Sequence, residues 1–196
     1  MIDNYFLTTV ANFPSSLLQI SIYISAGVSS LTSLPPLPSG LLLFNCDGLG
    51  LQTLPPLPST LTYLSCQHNP LYSLPVLPPG LTDLFCSFDS LTSLPTLPAT
   101  LTNLGCAYNE LTALPTLPSG IYFLLCNYNH LTSLPTLPSS IAFLSCSYNF
   151  ITTLPNLPPN LYSLDCSYNN LTSLPVLPNS LTTYIAIKIS LPISQH

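Results

Sequence analysis

Charge is what this 196-residue sequence has least of. Charged residues are 4% of the chain, against about 25% in an ordinary globular domain. Arginine is absent, and Lys188 is the one cation. Such a chain cannot neutralise a phosphate backbone, which excludes nucleic acid as a partner. The same shortage excludes electrostatic attachment to an anionic lipid surface. The acids Asp3, Asp47, Asp83, Asp89, Glu110 and Asp165 set a net charge of −5. They are scattered, so they favour solubility without marking a partner. Long apolar runs are missing as well. Hydrophobic residues reach 47%, yet no run approaches the roughly 20 residues a membrane span needs. The apolar stretch at 17–24 is broken by Gln19 and Ser21, and no Lys or Arg precedes it. A cleaved secretory leader is therefore not expected, while export by another route stays open. There is no glycine-rich phosphate loop. His68, His130 and His196 have no nucleophile or carboxylate partner in the sequence. No two carboxylates form the pair that hydrolytic acid–base chemistry requires. The expectation is a non-catalytic protein with no cofactor and no metal.

What the sequence has is repetition. From Leu31 it falls into eight units of 20 residues. A Leu-Pro-x-Leu-Pro block starts at Leu34 and recurs at Leu54, Leu74, Leu94, Leu114, Leu134, Leu154 and Leu174. Cysteines follow the same spacing, at Cys46, Cys66, Cys86, Cys106, Cys126, Cys146 and Cys166. A fixed period of this kind means one structural turn per unit, each stacked on the last. Within a unit, residues 61–69 alternate inward Leu64 and Cys66 with Tyr63, Ser65 and Gln67, the period of a strand. Residues 71–80 are proline-rich. Proline fixes φ and removes backbone donors, so this half is extended and polyproline-like, with Leu74 and Leu77 inward. Strands of successive units then pair in parallel at about 4.8 Å.

Two columns complete the unit. Asn69, Asn109, Asn129, Asn149 and Asn169, with Asp89 in register, follow the strand where the backbone must turn. An asparagine there both donates to and accepts from main-chain groups that have left the ladder, so a structural ladder is expected. The inward cysteine column admits three readings. Packing as a small soft core residue explains every position. Disulfides between neighbours fall within the Cα distance range but require side chains that point the same way to converge. Metal needs tetrahedral convergence, which a straight column lacks. Packing is favoured, and buried thiols suit a reducing compartment.

The run Leu161-x-x-Leu164-x-Cys166-x-x-Asn169-x-Leu171 resembles the signature of leucine-rich-repeat proteins. The 20-residue period and the Leu-Pro-x-Leu-Pro block are similar to the short bacterial subclass, found in secreted effectors that act inside host cells. The resemblance covers residues 31–190. It implies a solenoid with parallel β-strands on the concave side, extended segments on the convex side and little or no helix. Some such effectors carry a ubiquitin-ligase domain after the repeats. No such domain is expected here, and each cysteine occupies an inward repeat position, so none carries over as a nucleophile. The helical N-terminal cap of those effectors is not visible either. Residues 1–30 read as a divergent first turn, with a strand within 17–24 and a four-residue insertion before Leu31. Residues 31–190 are the repeats and 191–196 a tail. The final strand, near 183–190, has Ala186 and Ile189 in place of Cys and Asn. Its open edge is expected to pair end to end with a second copy, unless the sequence is part of a larger protein.

The outward positions vary from unit to unit while the inward ones do not. One outward column runs Leu43, Tyr63, Asp83, Asn103, Phe123, Phe143, Ser163 and Thr183. A second runs Asn45, Ser65, Phe85, Gly105, Leu125, Ser145, Asp165 and Ile185. A third, just past the strand, is His68, Phe88, Tyr108, Tyr128, Tyr148 and Tyr168. A uniform interior with a varied exterior is the pattern of a binding scaffold. Phe85, Tyr108, Phe123, Leu125, Tyr128, Phe143, Tyr148 and Tyr168 are the candidate contacts with a protein partner. The tyrosines have a second reading, stacking on one another to cover the turn. A regular column of Thr92, Thr112, Thr132, Thr152 and Thr172 offers hydroxyls for ice or carbohydrate, or merely solvates an edge. The alternative to a partner-binding scaffold is an adhesive rod at the cell surface. A cytosolic site, including a host cytosol after export, is preferred to the surface.

Overall fold

The computed structural model describes residues 10–22 and 31–183. The expected last strand beyond Thr183, with Ala186, Ile189 and the edge for a second copy, lies outside the described residues, as does the 191–196 tail.

Proline density and 20-residue spacing leave the chain room for only brief strands, and each strand is three residues long. In chain order they are β1 (Gln19–Ser21), β2 (Leu43–Asn45), β3 (Tyr63–Ser65), β4 (Asp83–Phe85), β5 (Asn103–Gly105), β6 (Phe123–Leu125), β7 (Phe143–Ser145) and β8 (Ser163–Asp165). They form one sheet in sequence order, and every pairing is parallel. Parallel neighbours need a crossover, and here each proline-rich segment supplies it. β1 is offset from β2 by 24 residues (Gln19 with Leu43), whereas β2 and β3 are offset by 20 (Leu43 with Tyr63). Thr183 continues the stack as a single parallel bridge to Ser163. Among the described residues there is no helix.

The core is the inside of the coil. The strand leucines Leu64, Leu84, Leu104 and Leu124, the thiols beside them, and the leading leucines of each unit are fully buried. Leu74 and Leu77 of the proline segment close the far side, also buried. Phe44 takes the strand-leucine position in the first full unit and is the largest fully buried side chain. Each proline segment returns to the strand through a tight turn, in which Leu61 N–H donates to Pro58 O at 3.1 Å. Hydroxyls staple these turns together at alternate units. Thr60 Oγ1 donates to Leu41 O (2.7 Å), Thr100 to Leu81 O (2.8 Å) and Ser180 Oγ to Leu161 O (2.8 Å).

The asparagine column is a ladder that is interrupted at Asp89. Asn109 Oδ1 accepts from Leu91 N–H at 2.9 Å, and its Nδ2 donates to Cys86 O at 2.8 Å and Cys106 O at 3.2 Å. Asn129 Nδ2 donates to the same Cys106 O at 3.0 Å, so one carbonyl joins consecutive units. Asn69, Asn149 and Asn169 repeat the arrangement. All seven cysteines are buried and free. Burial in this apolar column pushes Cys106 up to about 12 and raises Cys66, Cys86, Cys126 and Cys146 well above the ordinary thiol range.

Candidate binding face

Because side chains alternate across a strand, burying the middle residue of each three-residue strand turns its first and third residues outward. Parallel, in-register pairing then lays like positions side by side. Phe123 and Phe143 are paired residues of β6 and β7, and their ring centroids lie 6.2 Å apart. Both are half-buried. Phe85 leans on Tyr63 of the preceding strand at 5.9 Å. It also lies across Gly105: a Cβ there would come within 2.9 Å of the Phe85 ring. Gly105 is therefore what lets that ring lie flat on the sheet. Leu125, paired with Gly105 and Ser145, is half-buried next to Phe123. Ser65, expected to face outward, is covered, at 1% exposure. Its hydroxyl is engaged by Asp47 at 2.7 Å.

The acids on and beside this face are used locally. Asp83 accepts from Asn103 Nδ2 and from Thr82 Oγ1, each at 2.6 Å. Asp165 accepts from Ser167 N–H at 3.1 Å and Ser167 Oγ at 2.7 Å.

The third outward column forms one stack of rings. His68, Phe88, Tyr108, Tyr128, Tyr148 and Tyr168 follow at centroid distances of 4.1–4.2 Å, their planes nearly parallel. The neighbouring phenols, Tyr168 first and then Tyr128, raise Tyr148 above the ordinary phenol value, and Tyr128 does the same to Tyr108. All six residues have left-handed backbone, with φ between 53° and 60°. Nothing in the residue types announces this, since aromatic side chains rarely adopt positive φ. His68 belongs to the stack and is no isolated surface ring. Beside it, His130 Nδ1 approaches Glu110 Oε2 at 3.1 Å and its ring stacks on Phe150 at 5.7 Å.

One column escapes the sequence pattern altogether. The residue before each strand is Thr62, Thr82, Thr102, then Tyr122, Ala142 and Tyr162. Tyr122 and Tyr162 are half exposed, and both rings turn onto Phe143, at 5.5 Å and 5.6 Å. With Ala142, Ser140 and Asn160 they line an open notch of about 570 Å³. The signal that would have found it is the single alanine between two tyrosines at 20-residue spacing. The threonine column Thr92, Thr112, Thr132, Thr152, Thr172 is exposed. Among the described residues no group of three potential metal ligands converges, and no helix is long and apolar enough to cross a membrane.

Solved structures share this architecture. A Shigella effector leucine-rich-repeat domain is 33% identical, with a TM-score of 0.71, over 81% of this chain and 72% of that one. The chain belongs to the leucine-rich-repeat family. YopM from Yersinia enterocolitica is 32% identical over 93% of this leucine-rich-repeat chain, with a TM-score of 0.80. YopM from Yersinia pestis, a leucine-rich effector protein, is 28% identical over 88%, with a TM-score of 0.61. The repeat chain spans 45% and 60% of those two YopM chains. No family model matches it, and no curated protein does.

Proposed function

We propose that this chain is a non-catalytic scaffold that grips a protein partner with its concave strand face, in the manner of an effector or adaptor. The observation that carries the reading is the ring cluster of Tyr122, Phe123, Phe143 and Tyr162 on that face. Aromatic side chains present large apolar area at small entropic cost and dominate interface energetics. Phe85, Leu125 and the ring stack of Tyr108, Tyr128, Tyr148 and Tyr168 border the cluster as further contact surface. Catalysis finds no support. The thiols are buried and held protonated, so none is a nucleophile. The exposed His130–Glu110 pair has no nucleophile beside it. A reducing cytosol, including that of a host cell after export, suits seven free buried thiols.

The test separates the face from the stack. Affinity capture from cell lysate compares the wild type with a Phe123→Ser, Phe143→Ser variant and a Tyr128→Ser, Tyr148→Ser variant, each checked for folding by circular dichroism. The expected outcome is one captured protein, lost with the folded phenylalanine variant. Equal capture by all three proteins would remove the site from this face. Absence of specific capture would favour an adhesive or spacer rod.

A further inference from the structure

Oxidation by single electrons finds one kind of side chain to act on at this surface. The chain has no tryptophan. All seven thiols are buried, and a thiol reacts as its exposed thiolate. The exposed donors are the phenols. Tyr108, Tyr148 and Tyr168 are 38%, 37% and 50% exposed, and Tyr128 lies half-buried between the first two.

These four are consecutive rungs of the ring stack. Their centroids lie 4.1 Å apart at each junction, with interplanar angles of 12°, 9° and 13°. At that separation the ring carbons of neighbours are close to van der Waals contact. Identical turns carry them, each with φ at 53°. The amides of Tyr108, Tyr128 and Tyr148 donate to the next unit at 2.9–3.0 Å. The backbone therefore fixes one spacing for all four rings. Below Tyr108 the column continues as Phe88 and His68, which have no phenol to oxidise.

A phenol that gives up one electron and its hydroxyl proton becomes a phenoxyl radical, with spin density on the carbons ortho to oxygen. Two such radicals in contact form a carbon–carbon bond between ortho carbons. The hydrogen on each of those carbons then moves to its own ring's oxygen, and two phenols are restored. The pair has lost two electrons and two protons. A haem peroxidase passes these to one hydrogen peroxide, which becomes two waters. Adjacent phenol and phenoxyl exchange a hydrogen atom with no net change, so radicals formed apart in the column can become neighbours.

We infer that Tyr108, Tyr128, Tyr148 and Tyr168 are an oxidative modification site, at which a peroxidase-type oxidant joins adjacent turns of the coil by dityrosine bonds within one chain. Four phenols in a row allow two such bonds, Tyr108–Tyr128 with Tyr148–Tyr168, or one alone at Tyr128–Tyr148. Each ties residues 20 apart and constrains the unfolded chain as a disulfide would, at a place where the thiols are too deep to serve. This reactivity holds whether or not the column also touches a partner. Exposure alone gives a different forecast. Tyr72 is 67% exposed, more than any tyrosine of the column, and Tyr122 is 50% exposed. Tyr122 turns onto Phe143 and not onto another phenol. If accessibility decided the outcome, these two would react first and would link one chain to another.

The whole chain, at micromolar concentration, is oxidised with a haem peroxidase and hydrogen peroxide, with N-acetyltyrosine in a parallel reaction as a check on the reagent. Monomer is isolated by gel filtration, its dityrosine fluorescence is measured, and the links are located by mass spectrometry of peptic peptides. The expected result is links within the monomer at Tyr108–Tyr128, Tyr128–Tyr148 and Tyr148–Tyr168. Tyr108→Phe with Tyr148→Phe keeps a ring at every rung and leaves no two phenols of the column adjacent. Its dityrosine yield should fall about a hundredfold or more, because coupling then draws on micromolar partners where neighbours offered a millimolar effective concentration. Should circular dichroism show that this variant has lost its fold, Tyr128→Phe alone leaves a single junction, and every link in the column should move to Tyr148–Tyr168. Tyr72→Phe should change neither yield nor positions. A monomer without dityrosine while N-acetyltyrosine couples, links confined to tyrosines outside the column, wild-type yield in the folded alternating variant, or a yield that drops with Tyr72→Phe would each overturn the site.

Discussion

Asp89 stands where its neighbours in the ladder carry asparagine. Its Oδ1 accepts from Asn69 N–H at 2.8 Å, as an asparagine oxygen would. Its Oδ2 is buried without a partner. In the flanking units the corresponding atom is an Nδ2, which donates to strand-end carbonyls such as Cys86 O at 2.8 Å. An ionised carboxylate oxygen in that place faces acceptors with nothing to donate. Burial accordingly raises Asp89 to about 7 from 3.8, against the lowering effect of the Asn69 and Leu71 amides. The protonated acid is the form the fold prefers. Its unfolded counterpart begins to lose its proton near pH 3.8, and the folded protein near pH 7, so wild-type stability falls as pH rises through that window and levels off above it. Asp89→Asn restores the missing donor and removes the titration. It is expected to stabilise the protein by about 1–3 kcal/mol at neutral pH, the cost of one unsatisfied buried polar group. The gain should shrink toward zero near pH 4. Thermal melts of both proteins across this range decide the matter, and parallel Tm curves would sink the argument.

The ring stack is an element in its own right, and it inverts a familiar rule about glycine. Each ring sits on a residue with φ near +53° to +60°, which costs an ordinary side chain about 1 kcal/mol or more. Two returns offset this cost. The left-handed turn aims the amide at the next unit, so that Tyr128 N–H donates to Ser147 O at 2.9 Å. It also brings the ring between its neighbours, at 4.1 Å on both sides for Tyr128. Removing the ring while keeping the side-chain carbon loses the stacking and retains the strain. Tyr128→Ala should therefore destabilise by roughly 1–3 kcal/mol, at about 0.5–1.5 kcal/mol per ring pair lost. Tyr128→Gly should be about 1 kcal/mol less harmful than alanine, because glycine tolerates positive φ. Urea denaturation of the three proteins tests the order, and alanine proving milder than glycine would refute it. This element shows where legibility in the sequence ends. Repeat length, inward leucines and the asparagine ladder follow from spacing, because periodicity maps directly onto facing and hydrogen-bond supply. The 20-residue recurrence of His68 through Tyr168 marks a column, but the left-handed turn beneath it depends on a balance of strain and stacking that residue identity does not reveal. The notch is similarly hidden. It comes from the absence of a ring at Ala142, together with the tilt of Tyr122 and Tyr162 onto Phe143 in an adjacent column.

At the scale of the whole molecule, stability and recognition are distributed differently. Each unit touches only its neighbours, through the same ladder, thiol column and leucine layers, so stability is close to a sum over units. The proposed site, in contrast, is confined to the turns around β6, β7 and β8. Excising one full unit in register tests this division. Deleting residues 91–110 joins Ser90 to Leu111, which heads the next unit in the place of Leu91. β4 then pairs with β6 as it did with β5. The shortened protein should keep its circular dichroism shape and unfold cooperatively, with a urea m-value lower by about one-eighth, in proportion to the surface no longer exposed. Capture of the partner should survive, since Tyr122, Phe123, Phe143 and Tyr162 are all retained. Deleting residues 131–150 instead removes Phe143, Ala142 and Tyr148 at a comparable cost in stability, and capture should be lost. If both deletions abolish capture while folding is retained, the partner reads the length or curvature of the coil, and the local site loses its support. If the first deletion unfolds the protein, neighbouring units are not interchangeable and the additive view of its stability fails, the candidate cause being the Asp89 rung, whose carboxylate sits at the junction.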